Sequence, residues 1–364
     1  MPKLDRIQIN GYKSIKSLDL ELKSLNVLIG ANGAGKSNLI SFFKMLNEMI
    51  NNKLQVYITK SGGADRLLYF GTKNTDMIKA RLYFGRNSYE VELEPTLEGK
   101  LLFSSERTFY QGPGYPTPWS QNLGAGHLET LLHEESKAHQ NTVVADHIIR
   151  SLMEWKLYHF HDTSHNSKMK SDSNINDNAY FRSDASNLAA FLYWLKEKKI
   201  ENYQSILKTV KLIAPFIDDF VLIPSKLNPE FIRLAWKHKD YDDYFDVSQL
   251  SDGTLRFICI ATLLLQPDLP ATILLDEPEL GLHPYAINLL GSLFRTVSNK
   301  TQLIVSTQSL LLIDQLDPED IIVVNYHENE SEFSRLESEK LEDWLEDYTL
   351  GELWEKNILG GRPR

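Results

Sequence analysis

A chain of 364 residues exceeds what one simple hydrophobic core accommodates, so one large domain with insertions, or two lobes, is expected. Its 42% hydrophobic and 24% charged residues are those of an ordinary globular protein, and its net charge of −10 excludes a surface coated in basic groups, leaving room only for a local basic groove. The single cysteine, Cys259, excludes a disulfide framework, and no apolar run approaches membrane-spanning length, so a cytoplasmic protein is expected.

In chain order, Ile7 and Ile9, then Leu18, Leu20 and Leu22, alternate as half-buried strands do. The continuous run Val27-Leu28-Ile29 enters a glycine-rich turn, after which Leu39, Phe43, Leu46 and Ile50 recur at helical spacing. Strand, loop, helix is the opening of an α/β fold. The turn, "GANGAGKS", matches G-x-x-x-x-G-K-[ST] at every position. Gly30, Gly33 and Gly35 let the backbone curl, so that N–H groups from Asn32 and Ala34 onward point at phosphate oxygens, and the following helix adds its positive end. Lys36 is placed to reach the β/γ-phosphates and the Ser37 hydroxyl to ligate Mg²⁺, with Asn38 next in line. ATP and Mg²⁺ are the cofactors this loop predicts.

From about residue 75 to 245 the pattern loosens. "ARLYFGRNSYEVELEP" reads as a strand pair, "YQGPGYPTPWSQNLGAGH" as loop and "HDTSHNSKMKSDSNINDN" as a polar, mobile segment. His159, His161 and His165 cluster locally, but the surrounding composition suits a solvated loop better than a metal site. Leu188, Phe191, Leu192 and Leu195 mark one helix; Ile206, Val210 and Ile213 mark another, stopped by Pro215. Neither an internal repeat nor a sustained heptad appears.

Periodicity sharpens again at residue 246. A small polar turn, Ser251-Asp252-Gly253, opens onto a long apolar run containing Cys259, read as a buried helix. "TILLDE", "QLIVST" and "DIIVVN" are short β-rich runs of the kind found in a buried parallel sheet, with a helix after Pro284 between the first two. The first run ends in adjacent acids at the sheet's C-terminal edge, where the phosphate loop also sits. Asp276 would share Mg²⁺ with Ser37, and Glu277 would polarise an attacking water. Two amphipathic patches close the chain, Leu341-Trp344-Leu345-Tyr348 and Leu350-Leu353-Trp354, suited to packing on the core or to docking a partner. The divisions that follow are 1–85 with the phosphate loop, an inserted β/helical subdomain 86–245, 246–330 with the acidic strand, and a helical tail 331–364.

Leu250-Ser251-Asp252-Gly253, its apolar helix and the Asp-Glu strand together resemble the signature motif of ABC-type ATPases. The opening "IQINGYKSIKSLDLELKSLNVLIGANGAGKSNLI", with "GGADRLLYFG", "SNLAAFLYWL", "LLDEPELGLHP", "VSTQS" and "DYTLGELWEKNILGGRPR", is similar to compact bacterial AAA-family ATPases of the SMC/RecF/OLD-like branch, over the whole chain. The resemblance implies a P-loop NTPase with an ABC/SMC-head-like mixed sheet flanked by helices and a mostly helical insertion. It implies a homodimer or higher oligomer in which Ser251, Asp252 and Gly253 serve the nucleotide of the other chain, with "ELGLHP" contacting that chain. Gln308 stands where the superfamily usually has a γ-phosphate-sensing histidine, and an amide can donate a hydrogen bond but carries no charge. Gln55 is the glutamine available to complete the metal site by analogy. An ATP-hydrolysing switch controlling a separate effector, such as a nuclease, in phage defence or DNA maintenance is the implied function. A non-hydrolysing scaffold, motivated by Gln308 and opposed by Glu277, stays open. So does a RecF-like DNA-binding protein using Lys168, Lys170 and Arg182, whereas a transporter ATPase would need a membrane partner.

Overall fold

A computed structural model of the chain describes residues 3–114, 116–138 and 143–361. The chain begins with β1 (Arg6–Tyr12), β2 (Ile15–Glu21) and β3 (Leu25–Ile29), which delivers it to α1 (Lys36–Ile50) and α2 (Leu54–Lys60). Strands β4 (Ile78–Phe84), β5 (Asn87–Pro95), β6 (Leu101–Tyr110) and β7 (Trp119–Gly124) follow, then α3 (Leu132–Ala138), α4 (Val143–Met153) and β8 (Trp155–Tyr158). A long loop carrying β9 (Ser173–Asn174) leads to α5 (Leu188–Lys198) and α6 (Ile200–Ile213). Short strands β10 (Ile217–Val221), β11 (Phe231–Ile232), β12 (Ala235–His238) and β13 (Tyr244–Asp246) come next. The remainder is α7 (Asp252–Leu265), β14 (Thr272–Asp276), α8 (Pro284–Val297), β15 (Gln302–Thr307), α9 (Leu310–Ile313), β16 (Ile321–His327), β17 (Glu330–Arg335), α10 (Glu342–Leu345) and α11 (Leu350–Glu355).

A six-stranded sheet ordered β17-β16-β3-β15-β14-β8 forms the centre, parallel throughout except for β17. Its strands β3, β15 and β14 are buried on both faces and so carry apolar runs, and the pleat sends alternate residues to opposite cores. Val27, Ile273, Leu275, Leu303 and Val305 enter one core with α7 and α8, whereas Leu28, Leu274 and Ile304 enter the other with α1 and the N-terminal strands. The helix α7 is buried from Leu255 to Leu264, which explains why its sequence is apolar all round rather than striped.

The second sheet, β2-β1-β4-β5-β6-β7, is antiparallel and packs over α1. The hairpin β4–β5 pairs Phe84 with Asn87, so the two sides of position 85 belong to one sheet. Within 86–245 the chain supplies helices α3 to α6, three strands of this second sheet, and β8, which lies beside β14 in the central sheet. The polar stretch read as a mobile loop is pinned instead. Ser167, Met169 and Lys170 are buried, and Arg256 of α7 donates to Phe160 O at 2.9 Å and His161 O at 3.1 Å. Two-residue spacing gave no hint of this, because the contacts lie about a hundred residues apart.

Candidate nucleotide site

Strand β3 ends and α1 begins around the phosphate loop, at the C-terminal edge of the central sheet. Gly35, the N-cap of α1, has φ of 118°, a region that L side chains rarely adopt, and a Cβ there would run into the Ser331 side chain. Lys36 is buried, and its amine donates to Gly30 O at 2.5 Å and Ala31 O at 3.1 Å. Burial holds its pKa below the ordinary lysine value, opposed by the nearby charges of Glu277, Asp276 and Glu279.

A serine pair braces this loop from outside. Ser331 Oγ, on β17, donates to Ala34 O at 2.6 Å and lies 2.6 Å from Ser14 Oγ, and Asn38 Nδ2 donates to Ser14 Oγ at 2.7 Å. Asn38 therefore engages the turn between β1 and β2 through its side chain. Ser14 sits in the quoted "GYKSIK", but Ser331 carried no sequence signal, because its partners lie about three hundred residues away in the chain.

Opposite the loop, β14 and β15 end side by side, with Asp276 in register with Ser306. Ser306 Oγ donates to Asp276 Oδ1. Glu277 takes φ of 43° as the chain leaves β14, and its N–H donates to Ser306 O at 2.9 Å. The Gln308 amide donates to Glu277 Oε1 at 2.5 Å and to Asn32 Oδ1 at 2.7 Å, joining the acidic edge to the phosphate loop. Asn32, Gly33, Gly35, Lys36, Ser37, Asn38, Glu277 and Gln308 surround one recess of about 100 Å³.

Glu279 was not singled out from sequence, yet it supports this edge. Its Oε1 accepts from Thr307 Oγ1 at 2.5 Å and from the Gln308 N–H at 3.2 Å, while Oε2 is buried without a partner. Burial raises its pKa above the usual glutamate value, against the lowering effect of those hydrogen bonds.

Ser37 lines the recess and Asp276 ends β14 beside it, hard oxygen donors of the kind Mg²⁺ takes, with Asp276 Oδ1 accepting from Ser306 Oγ. Among the described residues no group of three or more His, Cys, Asp or Glu could hold a metal ion, which removes the His159–His161–His165 suggestion. The Gln55 amide donates to Leu101 O at 2.8 Å and Leu128 O at 2.7 Å, tying α2 to the second sheet, and Gln55 is not among the residues that line the recess.

The turn Ser251-Asp252-Gly253 does not line this recess either. Ser251 caps α7, accepting from Thr254 N–H at 3.2 Å, and both Ser251 and Asp252 are exposed. Gly253 is required by packing, since a Cβ would strike Gly281 O of the "ELGLHP" loop, where Leu280 is 50% exposed. The basic stretch is neutralised locally. Lys168 pairs with Asp184 at 3.1 Å, Lys170 with Asp252 at 3.2 Å and Arg182 with Asp177 at 2.6 Å.

A phosphate loop and an acidic strand end at one edge of the central sheet give a P-loop α/β fold of the SMC-head type. The chain belongs to the family described as "AAA domain, putative AbiEii toxin, Type IV TA system", whose model matches residues 25–314. It is similar to the Old nuclease of Escherichia phage P2, at 22% identity over 387 residues, covering 94% of this chain and 62% of that protein. The chain thus spans less than two thirds of that relative's length. It also superposes on an SMC head bound to the C-winged helix domain of ScpA, with TM-score 0.58 and 16% identity over 94% of this chain and 100% of the other. An SMC head with an extended coiled coil, bound to the C-terminal domain of ScpA derived from Pyrococcus furiosus, gives TM-score 0.56 and 16% identity over 95% and 99%. These structural likenesses establish the fold. Among the described residues no helix is long and apolar enough to cross a membrane.

Proposed function

We propose that this chain binds and hydrolyses ATP, that two copies close around two nucleotides, and that closing and reopening switch a separate effector. The Gln308 amide bridging Asn32 of the phosphate loop and Glu277 of the acidic edge carries the reading, because it places a carboxylate beside the loop where the γ-phosphate would lie. In hydrolysis Glu277 accepts a proton from water as the water oxygen bonds to the γ-phosphorus. The bond from that phosphorus to the β–γ bridging oxygen breaks, and ADP leaves with the electron pair. Lys36 exchanges its carbonyl partners for phosphate oxygens, and the Asn32 and Gln308 amides orient the γ-phosphate and Glu277. Ser37 and Asp276 would hold Mg²⁺, which offsets phosphate charge when bound.

In the free chain Glu277 already accepts from Gln308, which holds the carboxylate oriented beside the phosphate loop; an uncharged amide there offsets no γ-phosphate charge, so turnover is slow until a partner or a second copy completes the site. Exposed Ser251 and Asp252, absent from their own chain's recess, support their serving the nucleotide of a second copy. Likeness to the Old nuclease supports a nuclease as the class of effector, and phage defence or DNA maintenance as the setting. The paired state of Lys168, Lys170 and Arg182 disfavours direct DNA binding at that stretch.

The test is light scattering with and without Mg-ATP, on wild type and Glu277→Gln. A mass near twice that of the chain, persistent in Glu277→Gln and transient in wild type, is expected. A monomer under all conditions despite bound ATP would refute the two-chain switch.

A further inference from the structure

The peptide unit joining Gly30 to Ala31 is held at both ends. Its carbonyl accepts from Lys36 Nζ at 2.5 Å, and its N–H donates to Gly361 O at 2.6 Å. Gly361 donates its own N–H to Asn325 Oδ1 at 2.6 Å, and Asn325 lies in β16, paired with Glu332 of β17. Gly360 and Gly361 have φ of 82° and 81°, where side chains are strained. A Cβ on Gly361 would stand 3.1 Å from both Trp354 Nε1 and Val323 Cγ1, and 3.4 Å from Gly30 Cα. The segment is threaded flat between α11, β16 and the first glycine of the phosphate loop. With Ala31 to Ala34, Tyr326 and His327 it also lines a recess of about 690 Å³.

A planar trans peptide cannot turn its carbonyl without turning its N–H. When Lys36 leaves Gly30 O for a phosphate, the Gly361 carbonyl becomes the remaining grip on that plane among these two contacts. We propose that Gly360–Gly361 is a positioning element of the nucleotide site, a strap that keeps the 30–31 peptide in place while Lys36 changes partners. This role rests on the ATP-binding reading above. Coupling of this kind is reciprocal, so nucleotide binding also tightens the strap.

The experiment measures equilibrium Mg-ATP affinity in a Glu277→Gln parent, which suppresses turnover, and in the same parent carrying Gly361→Val or Asn325→Ala. Amide hydrogen exchange over residues 357–361 is followed with and without Mg-ATP. Loss of one buried hydrogen bond predicts affinity about 5-fold weaker in both variants, and exchange slowed by nucleotide in the parent. Gly361→Val could disturb folding. Asn325→Ala removes only the anchor of the Gly361 N–H and, with a thermal midpoint near the parent's, decides the matter together with the exchange data. A parent that binds Mg-ATP while Asn325→Ala binds it equally well, with exchange indifferent to nucleotide, overturns the role alone. A parent that fails to bind Mg-ATP overturns the nucleotide reading and this role with it.

Discussion

Gln308 is the residue on which the proposed chemistry turns, because one amide reaches both Asn32 of the phosphate loop and Glu277, the proposed base. Gln308→Leu keeps the volume and removes both donors. ATP affinity should stay within about 3-fold while the single-turnover rate falls at least about 10-fold, and a rate unchanged in rapid-quench measurements would show that the bridge is idle. Glu279 accepts from the Gln308 N–H and from Thr307 Oγ1. Its folded-state pKa is raised by burial, so the folded chain holds this proton more tightly than the unfolded chain. Its contribution to stability is therefore present below the usual glutamate value and is lost as pH rises through the interval up to the folded value. Glu279→Gln keeps an acceptor for Thr307 and Gln308 without that proton. Its thermal midpoint should change less than the wild type's as pH climbs above about 4.5, and parallel midpoint curves would contradict this assignment. Cys259, fully buried in α7, has its thiol pushed up well beyond the usual range by burial. An aromatic disulfide reagent should leave it untouched in the native chain and modify it after unfolding.

At the scale of elements, contiguous chain was legible and distant pairing was not. The phosphate loop, the polar turn before α7 and the Asp276-Glu277 strand end are each local, so residue spacing reports them directly. The bracing of the loop by Ser331, the strap at Gly361 and the Glu279 support under Gln308 all join strands or segments tens to hundreds of residues apart. No local period announces them. Gln55, taken up by analogy with the superfamily's glutamine, shows the same limit: its amide meets the Leu101 and Leu128 carbonyls, partners that no local spacing announces. The contact of Gly253 with Gly281 O ties the turn before α7 to the "ELGLHP" loop. Gly253→Ala therefore separates those two elements. Nucleotide-dependent association should weaken at least 10-fold, measured by sedimentation, while ATP binding to each chain persists. Undiminished association would free this packing from any part in the interface.

For the molecule as a whole, two cores on either face of one sheet place α1 and its phosphate loop on one side and α7 with its exposed turn on the other. With the phosphate loop on one face of the sheet and the exposed Ser251-Asp252 turn on the other, the proposed site would be completed by another copy rather than by the chain's own turn. The decisive measurement is ATP turnover against protein concentration for wild type, Lys36→Ala, Ser251→Arg, and an equal mixture of the two variants. Shared sites predict rate per chain rising with concentration, near silence for each variant alone, and partial recovery in the mixture, whose mixed dimers keep one intact site. A rate per chain independent of concentration, with no recovery in the mixture, would contradict the two-chain ATPase.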